Sequence, residues 1–169
     1  MVFVFGYLDV FLLPGFFVCN VEETFEIMEM KELLKYFTDF SENQLHQFEA
    51  LKGLYEQWNE KINVISRKDM DNFYTHHVLH SLAIASQFSF PDGYQVMDLG
   101  TGGGLPGIPL AIFFPGVQFH LVDSINKKLK VAYEIATNIG LTNVTTFCIL
   151  IGRKKSYSEF RAFTDYSIE

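Results

Sequence analysis

With 169 residues the chain is sized for one domain with a real core, and 49% apolar with 16% aromatic residues excludes a disordered segment. A formal net charge of −7 argues against a general nucleic-acid binder, although a local basic patch can override the net value. Two cysteines, Cys19 and Cys148, supply neither a disulfide framework nor a thiolate metal centre, and the simplest setting is a reduced, cytoplasmic one.

The first 20 residues are apolar but interrupted by Asp9 and Pro14-Gly15, whereas a spanning helix wants about 20 clean apolar residues. No Lys or Arg precedes Lys31, so the basic start of a signal peptide is missing. A weak membrane anchor is the lesser reading of this stretch. Met30, Leu33, Leu34 and Phe37 lie on one face of a helix expected over 29–37. Ser41-x-x-Gln44 is a capping box that opens the next helix. Its inward stripe is Leu45, Phe48, Leu51, Tyr55 and Trp58, which makes Trp58 a core residue rather than a ligand platform. Asn59 and Asn63 bracket the exit and are expected to tie backbone groups there.

Lys61, Arg67 and Lys68 fall in a polar connection before a helix expected over 69–87, with Asp69 as its cap and Phe73, Val78, Leu82 and Ala85 inward. His76 and His80 are four apart, a spacing that can chelate zinc. No Glu lies between them and no further ligand follows at a usable distance, so the expectation is surface and cap histidines and no metal site. Pro91-Asp92-Gly93 is a turn.

Val96–Leu99 is a short apolar run that reads as a buried strand. It stops at Gly100, and Gly102, Gly103 and Gly104 follow, removing side chains where the backbone must turn and approach something closely. A helix is expected over 105–114, with Pro106 in its first turn and its leading amides pointing into the space above the glycines, ready for a polar or anionic ligand group. A second strand, Val117–Val122, ends in Asp123, about 20 residues beyond the first glycines, where an acid that grips a ribose is expected. Ser124 can cap a helix running to Ile139, with Gly140 as its stop. Ile125, Leu129, Ala132, Ile135 and Ile139 form its inward stripe. Lys127, Lys128 and Lys130 read as a solvated face, with a phosphate-contacting edge as the alternative. Val144–Ile151 is the third strand, and the β-α-β-α-β order predicts an α/β fold with parallel pairing and right-handed crossovers.

Two nucleoside cofactors compete for the glycine loop. Gly102-x-Gly104-x-x-Gly107 formally satisfies the dinucleotide fingerprint, but Gly107 and Pro109 sit awkwardly in the first helical turns. Asp98-x-Gly100-x-Gly102-x-Gly104 fits better and resembles the cofactor loop of S-adenosyl-L-methionine (SAM) methyltransferases, where an acid faces the ammonium group and glycine amides face the carboxylate and sugar.

DLGTGGGLPGIPLAI followed by LVDSINKKLK resembles the RsmG (GidB) family, bacterial methyltransferases that modify guanine N7 in 16S ribosomal RNA of the small subunit. Upstream, Trp58-Asn59 with Asn63, and His77-Val78-Leu79-His80-Ser81, are similar to that family's W-N-x-x-x-N and R-H-x-x-D-S segments. The sequence departs from the second pattern, with Thr75-His76 where Arg is usual and His80 where Asp is usual. The resemblance runs from about Met30 to Phe147. It implies a Rossmann-like SAM-dependent methyltransferase fold, SAM as cofactor, and the small ribosomal subunit's RNA as partner. It also implies cofactor contacts at Asp98 beside the methionine end, at Gly100, Gly102, Gly104 and Leu105 along the loop, and at Asp123 on both ribose hydroxyls. His77 and Ser81 would border the cofactor or RNA cleft. Guanine N7 carries an available lone pair, so neither a base nor a metal is required, and no catalytic residue is assigned.

The family normally starts near Met28 or Met30, and it continues past the third strand with elements not found in GRKKSYSEFRAFTDYSIE. The expected division is therefore an atypical apolar extension over 1–27, an N-terminal helical region over 28–90, a partial Rossmann-like SAM-binding domain over 91–151, and an atypical tail over 152–169. Such a chain supplies the first half of the parallel sheet and leaves the first strand as an open edge, as in a truncated or frame-shifted product. The rival functions are an NAD-linked oxidoreductase using the same loop and a non-catalytic remnant that binds little.

Overall fold

The computed structural model describes residues 30–149, so the expectations for 1–27, for 152–169 and for the end of the third strand at Ile151 lie outside the described residues. A helical segment over 30–34 (α1) leads to helix α2, Glu42–Asn59. The capping box is present in both directions, with the Gln44 amide donating to Ser41 Oγ at 3.3 Å and the Ser41 amide donating to Gln44 Oε1 at 2.9 Å. Phe48, Leu51 and Tyr55 of the stripe are fully buried, while Leu45 and Trp58 are half-buried against the same core. Asn59 does tie the backbone, accepting from the amides of Val64 and Ile65 and donating to the Ile65 carbonyl at 2.7 Å. Asn63 is exposed and takes no part.

The single helix expected over 69–87 is instead a 3-10 segment (Arg67–Asn72), a π segment (Tyr74–Leu79) and one α turn (α3, His80–Leu82). Ser66 stands at the start without a side-chain cap, and Asp69 lies 3.7 Å from His76 Nδ1 rather than capping. Wider π turns change the angle between successive side chains. Phe73 and its neighbour Tyr74 are both buried, and the Tyr74 hydroxyl donates to the Phe48 and Glu49 carbonyls of α2.

Strands β1 (Gln95–Leu99), β2 (Gln118–Asp123) and β3 (Val144–Cys148) pair in parallel in the order β1-β2-β3, which bears out the α/β architecture. Helices α4 (Gly107–Phe113) and α5 (Asn126–Asn138) are the crossovers; both pack on the sheet, and α2 packs across both. Two helix boundaries differ from expectation. Pro106 is the N-cap of α4, so the helix starts at Gly107 and Pro109 occupies its first turn. Ile125, not Ser124, is the N-cap of α5; it is 47% exposed, while Val131 and Ala136 join the buried stripe. Gly140 does end α5, at φ +73°.

The register places Val96 beside Phe119 and Phe119 beside Val144 on one sheet face; Phe119 and Leu121 there are fully buried. Met97, His120 and Thr145 share the other face, where the His120 ring bridges Gln95 Oε1 at 3.0 Å and Thr145 Oγ1 at 2.7 Å. Among the described residues β1 has a neighbour on one side only, and Leu99 at its end is 57% exposed. One hydrophobic core unites α1, α2, the 67–82 segment, α4, β2 and α5, with Phe37, Phe40, Phe113 and Phe114 joined ring to ring at its rim.

Candidate functional site

The chain leaves β1 at Leu99, turns through 100–106 and enters α4. Gly100, Gly102 and Gly104 have φ of +87°, +58° and +104°, a left-handed backbone that side-chain-bearing residues rarely adopt. Gly104 also lies against the core, since a Cβ there would meet Ile108 Cδ1 at 2.4 Å. Gly107 is needed for close packing of helix on strand: a Cβ would stand 2.2 Å from Leu121 Cδ2 and 2.8 Å from Asp98 Oδ2. Gly100 is exposed and Gly102 and Leu105 are half-buried, so these three form the accessible edge of the loop, and Gly104 forms its inner side.

Two carboxylates brace the turn. Asp98 Oδ2 accepts from Thr101 Oγ1 at 2.6 Å and from the Gly107 amide at 3.0 Å. Burial raises the Asp98 pKa against the opposing pull of those two bonds, and the Asp123 carboxylate raises it further. Asp123, 9% exposed at the end of β2, accepts from the Gly102 amide at 2.9 Å through Oδ2 and from the Ile125 amide at 2.8 Å through Oδ1. It therefore fixes both the glycine loop and the start of α5.

Of the amides expected to await an anionic ligand, all but that of Gly103 are seen engaged inside the protein. Gly100 and Thr101 donate to the Val122 carbonyl, Gly104 and Leu105 to the Thr101 carbonyl, and Ile108 to the Gly104 carbonyl. With Gly102 and Gly107 held by the two aspartates, the remaining hydrogen-bonding capacity is mainly that of acceptors. A carboxylate oxygen has more than one acceptor position, so Asp123 retains capacity after its two bonds, and Asp98 Oδ1 takes no hydrogen bond among the described residues. Such a donor-poor, acceptor-rich rim suits a ligand bearing hydroxyls and positive charge.

Sequence reasoning placed Tyr55 in the core but missed its polar end. Its hydroxyl donates to the Gly103 carbonyl at 3.0 Å, joining α2 to the loop. The signal that could have found it is a Tyr among aliphatic stripe residues, because a buried phenol needs a partner. Asn143 was also missed; its amide donates to the Ala111, Phe114 and Val117 carbonyls and fastens the end of α4 to the strand that follows. His77 packs its ring on Phe73, burial lowers its pKa, and its buried Nε2 has no hydrogen-bond partner among the described residues. Ser81, 3% exposed, donates to the His77 carbonyl at 2.6 Å, so this hydroxyl serves its own helix. An open hollow of about 540 Å³ beside the exit of α2, lined by Glu56, Asn59, Glu60, Arg67 and Met70, contains none of the loop residues. Among the described residues no cluster of His, Cys, Asp or Glu is arranged to hold a metal, and no helix is long and apolar enough to cross a membrane.

The chain is similar in sequence to known proteins. The family model for rRNA small subunit methyltransferase G matches residues 44–165, running past Phe147, where the recognisable motifs end. A "Ribosomal RNA small subunit methyltransferase G" from Phocaeicola vulgatus is 67% identical over 116 residues, which is 69% of this chain and 56% of that protein. Proteins of the same name from Porphyromonas gingivalis and Cytophaga hutchinsonii are 63% identical over 112 residues and 54% identical over 117. The shares covered are 66% of this chain and 51% of the first, and 69% and 56% for the second. The chain thus spans about half the length of the curated relatives it matches. A crystal structure of a SAM dependent methyltransferase from Aquifex aeolicus overlays with a TM-score of 0.35 at 22% identity, covering 41% of this chain and 38% of that one.

Proposed function

The chain belongs to the rRNA small subunit methyltransferase G family, and from that premise we propose that it carries the cofactor-binding part of a SAM-dependent enzyme that methylates N7 of a guanine in 16S ribosomal RNA. The observation that carries the cofactor choice is the polarity of the loop. A dinucleotide presents a pyrophosphate, which needs unengaged amides at the strand-to-helix turn. Here the amides of Gly100, Thr101, Gly102, Gly104, Leu105, Gly107 and Ile108 are bonded internally and two carboxylates flank the turn. SAM carries one carboxylate in place of a pyrophosphate, and its ammonium, its sulfonium and its two ribose hydroxyls are groups that acceptors and anions recognise.

In this reading Asp123 accepts from the ribose hydroxyls while keeping its bonds to Gly102 and Ile125, and Asp98 faces the ammonium through the oxygen not engaged by Thr101 and Gly107. Gly100, Gly102 and Leu105 line the cofactor, and Gly104 gives the loop its shape. When bound, SAM supplies an electrophilic methyl group. Guanine N7 is already a nucleophile, so the protein's contribution is alignment and exclusion of water rather than proton transfer. An rRNA substrate places the work in the cytoplasm.

Calorimetric titration of the full chain with S-adenosylhomocysteine and, separately, with NADH tests the proposal. Binding of the first alone is expected. Binding of NADH would move the protein to the oxidoreductase class, and binding of neither would make this chain a non-catalytic remnant.

A further inference from the structure

We propose that Tyr55 is a positioning residue for the cofactor loop: its buried hydroxyl, bonded to the Gly103 carbonyl, sets where the loop lies and makes helix α2 part of the site. The inference rests on the loop being the cofactor site as read above. Tyr55 is fully buried near the C-terminal end of α2, and its hydroxyl reaches across 48 sequence positions to the centre of the glycine turn. Its ring is fixed against Phe73 at 5.2 Å between centroids. Burial, with the nearby Asp98 carboxylate, raises the phenol pKa far above its usual value, so the group stays protonated and remains a donor.

Gly103 is approached by the same helical layer a second time. A Cβ on Gly103 would stand 2.8 Å from Val64 Cβ, so the loop backbone lies directly against Val64. Asn59, the last residue of α2, holds the Val64 amide at 2.8 Å. The loop's flanking glycines occupy left-handed backbone conformations, so local preference does not select a single path for the chain. Three ties supply that selection: Asp98 and Asp123 from the sheet, and Tyr55 from the helices. Removing the Tyr55 hydroxyl leaves the Gly103 carbonyl facing an apolar ring edge and releases the helical tie.

The test compares the full-length chain with Tyr55→Phe and with Leu51→Ala, a buried apolar change one turn earlier on the same helix. Each is titrated with S-adenosylhomocysteine at a temperature where all three are folded by circular dichroism. Tyr55→Phe should bind about tenfold more weakly, since loss of the donor strands a buried carbonyl, and Leu51→Ala should bind as the parent does. Amide hydrogen exchange without ligand should quicken at 102–105 in Tyr55→Phe and not in Leu51→Ala. Parental affinity and exchange in Tyr55→Phe, or equal changes in both variants, would overturn the positioning role. A parent that binds no S-adenosylhomocysteine would overturn the cofactor reading instead, and the exchange data would still decide whether Tyr55 holds the loop.

Discussion

Replacing Asp123 by Ala removes two hydrogen bonds to a carboxylate at once, those from the Gly102 and Ile125 amides at 2.9 and 2.8 Å. Bonds to a charged acceptor contribute roughly 1.5–3 kcal/mol each, and the half-buried Gly102 amide regains some of that from water, so the net loss should be about 3 kcal/mol. For a domain of this size the thermal midpoint should fall by about 10 °C. A carboxylate that also accepts from ribose hydroxyls loses those bonds too, and affinity for S-adenosylhomocysteine should drop about a hundredfold. Because a loosened loop could weaken binding by itself, the decisive comparison adds an analogue whose ribose lacks the 2′-hydroxyl. The parent should prefer the complete ligand about tenfold, and Asp123→Ala should lose that preference, as a double-mutant cycle on the ligand requires. Equal discrimination by parent and variant, measured by calorimetry on folded protein, would refute the ribose role even if the variant were less stable.

Gly107→Ala should destabilise the fold by about 1–3 kcal/mol, because the added methyl meets Leu121 Cδ2 and the Asp98 carboxylate; a parental urea midpoint would contradict that packing. Asp98 has a folded-state pKa raised by burial above its ordinary 3.8, so its contribution to stability is full below that value and lost as pH rises through the folded-state value. Asp98→Asn should remove this component, and denaturation across pH should show the variant gaining on the parent as pH increases, whereas a constant difference would reject the assignment. Asn143→Ala should cost about 2–4 kcal/mol through the carbonyls it leaves unpaired at the end of α4, and Asn143→Asp should cost more by setting a carboxylate against them. Equal denaturation midpoints for the two variants would show that the donor at this position is not what matters.

The sequence by itself determined the features set within a few residues of one another. The Ser41–Gln44 capping box, the turn at Pro91–Gly93, the stop at Gly140, the strand ending at Leu99 and the glycine run after it were all legible, because backbone preference and short-range hydrogen bonds decide them. Parallel order followed from the alternation of strands with helices. Tertiary structure alone decided the rest. Periodicity could not anticipate the 3-10 and π turns over Arg67–Leu79, where burying Phe73 and Tyr74 together outweighs regular α geometry. Nor could spacing reveal that most of the loop's amides are engaged by Val122, Thr101, Asp98 and Asp123, which turns an apparent anion cradle into a rim rich in acceptors. Tyr55 and Asn143 reach partners 48 and up to 32 positions away, and such partners exist only once packing has brought distant backbone within 3 Å or so of a side chain that must not be left unpaired.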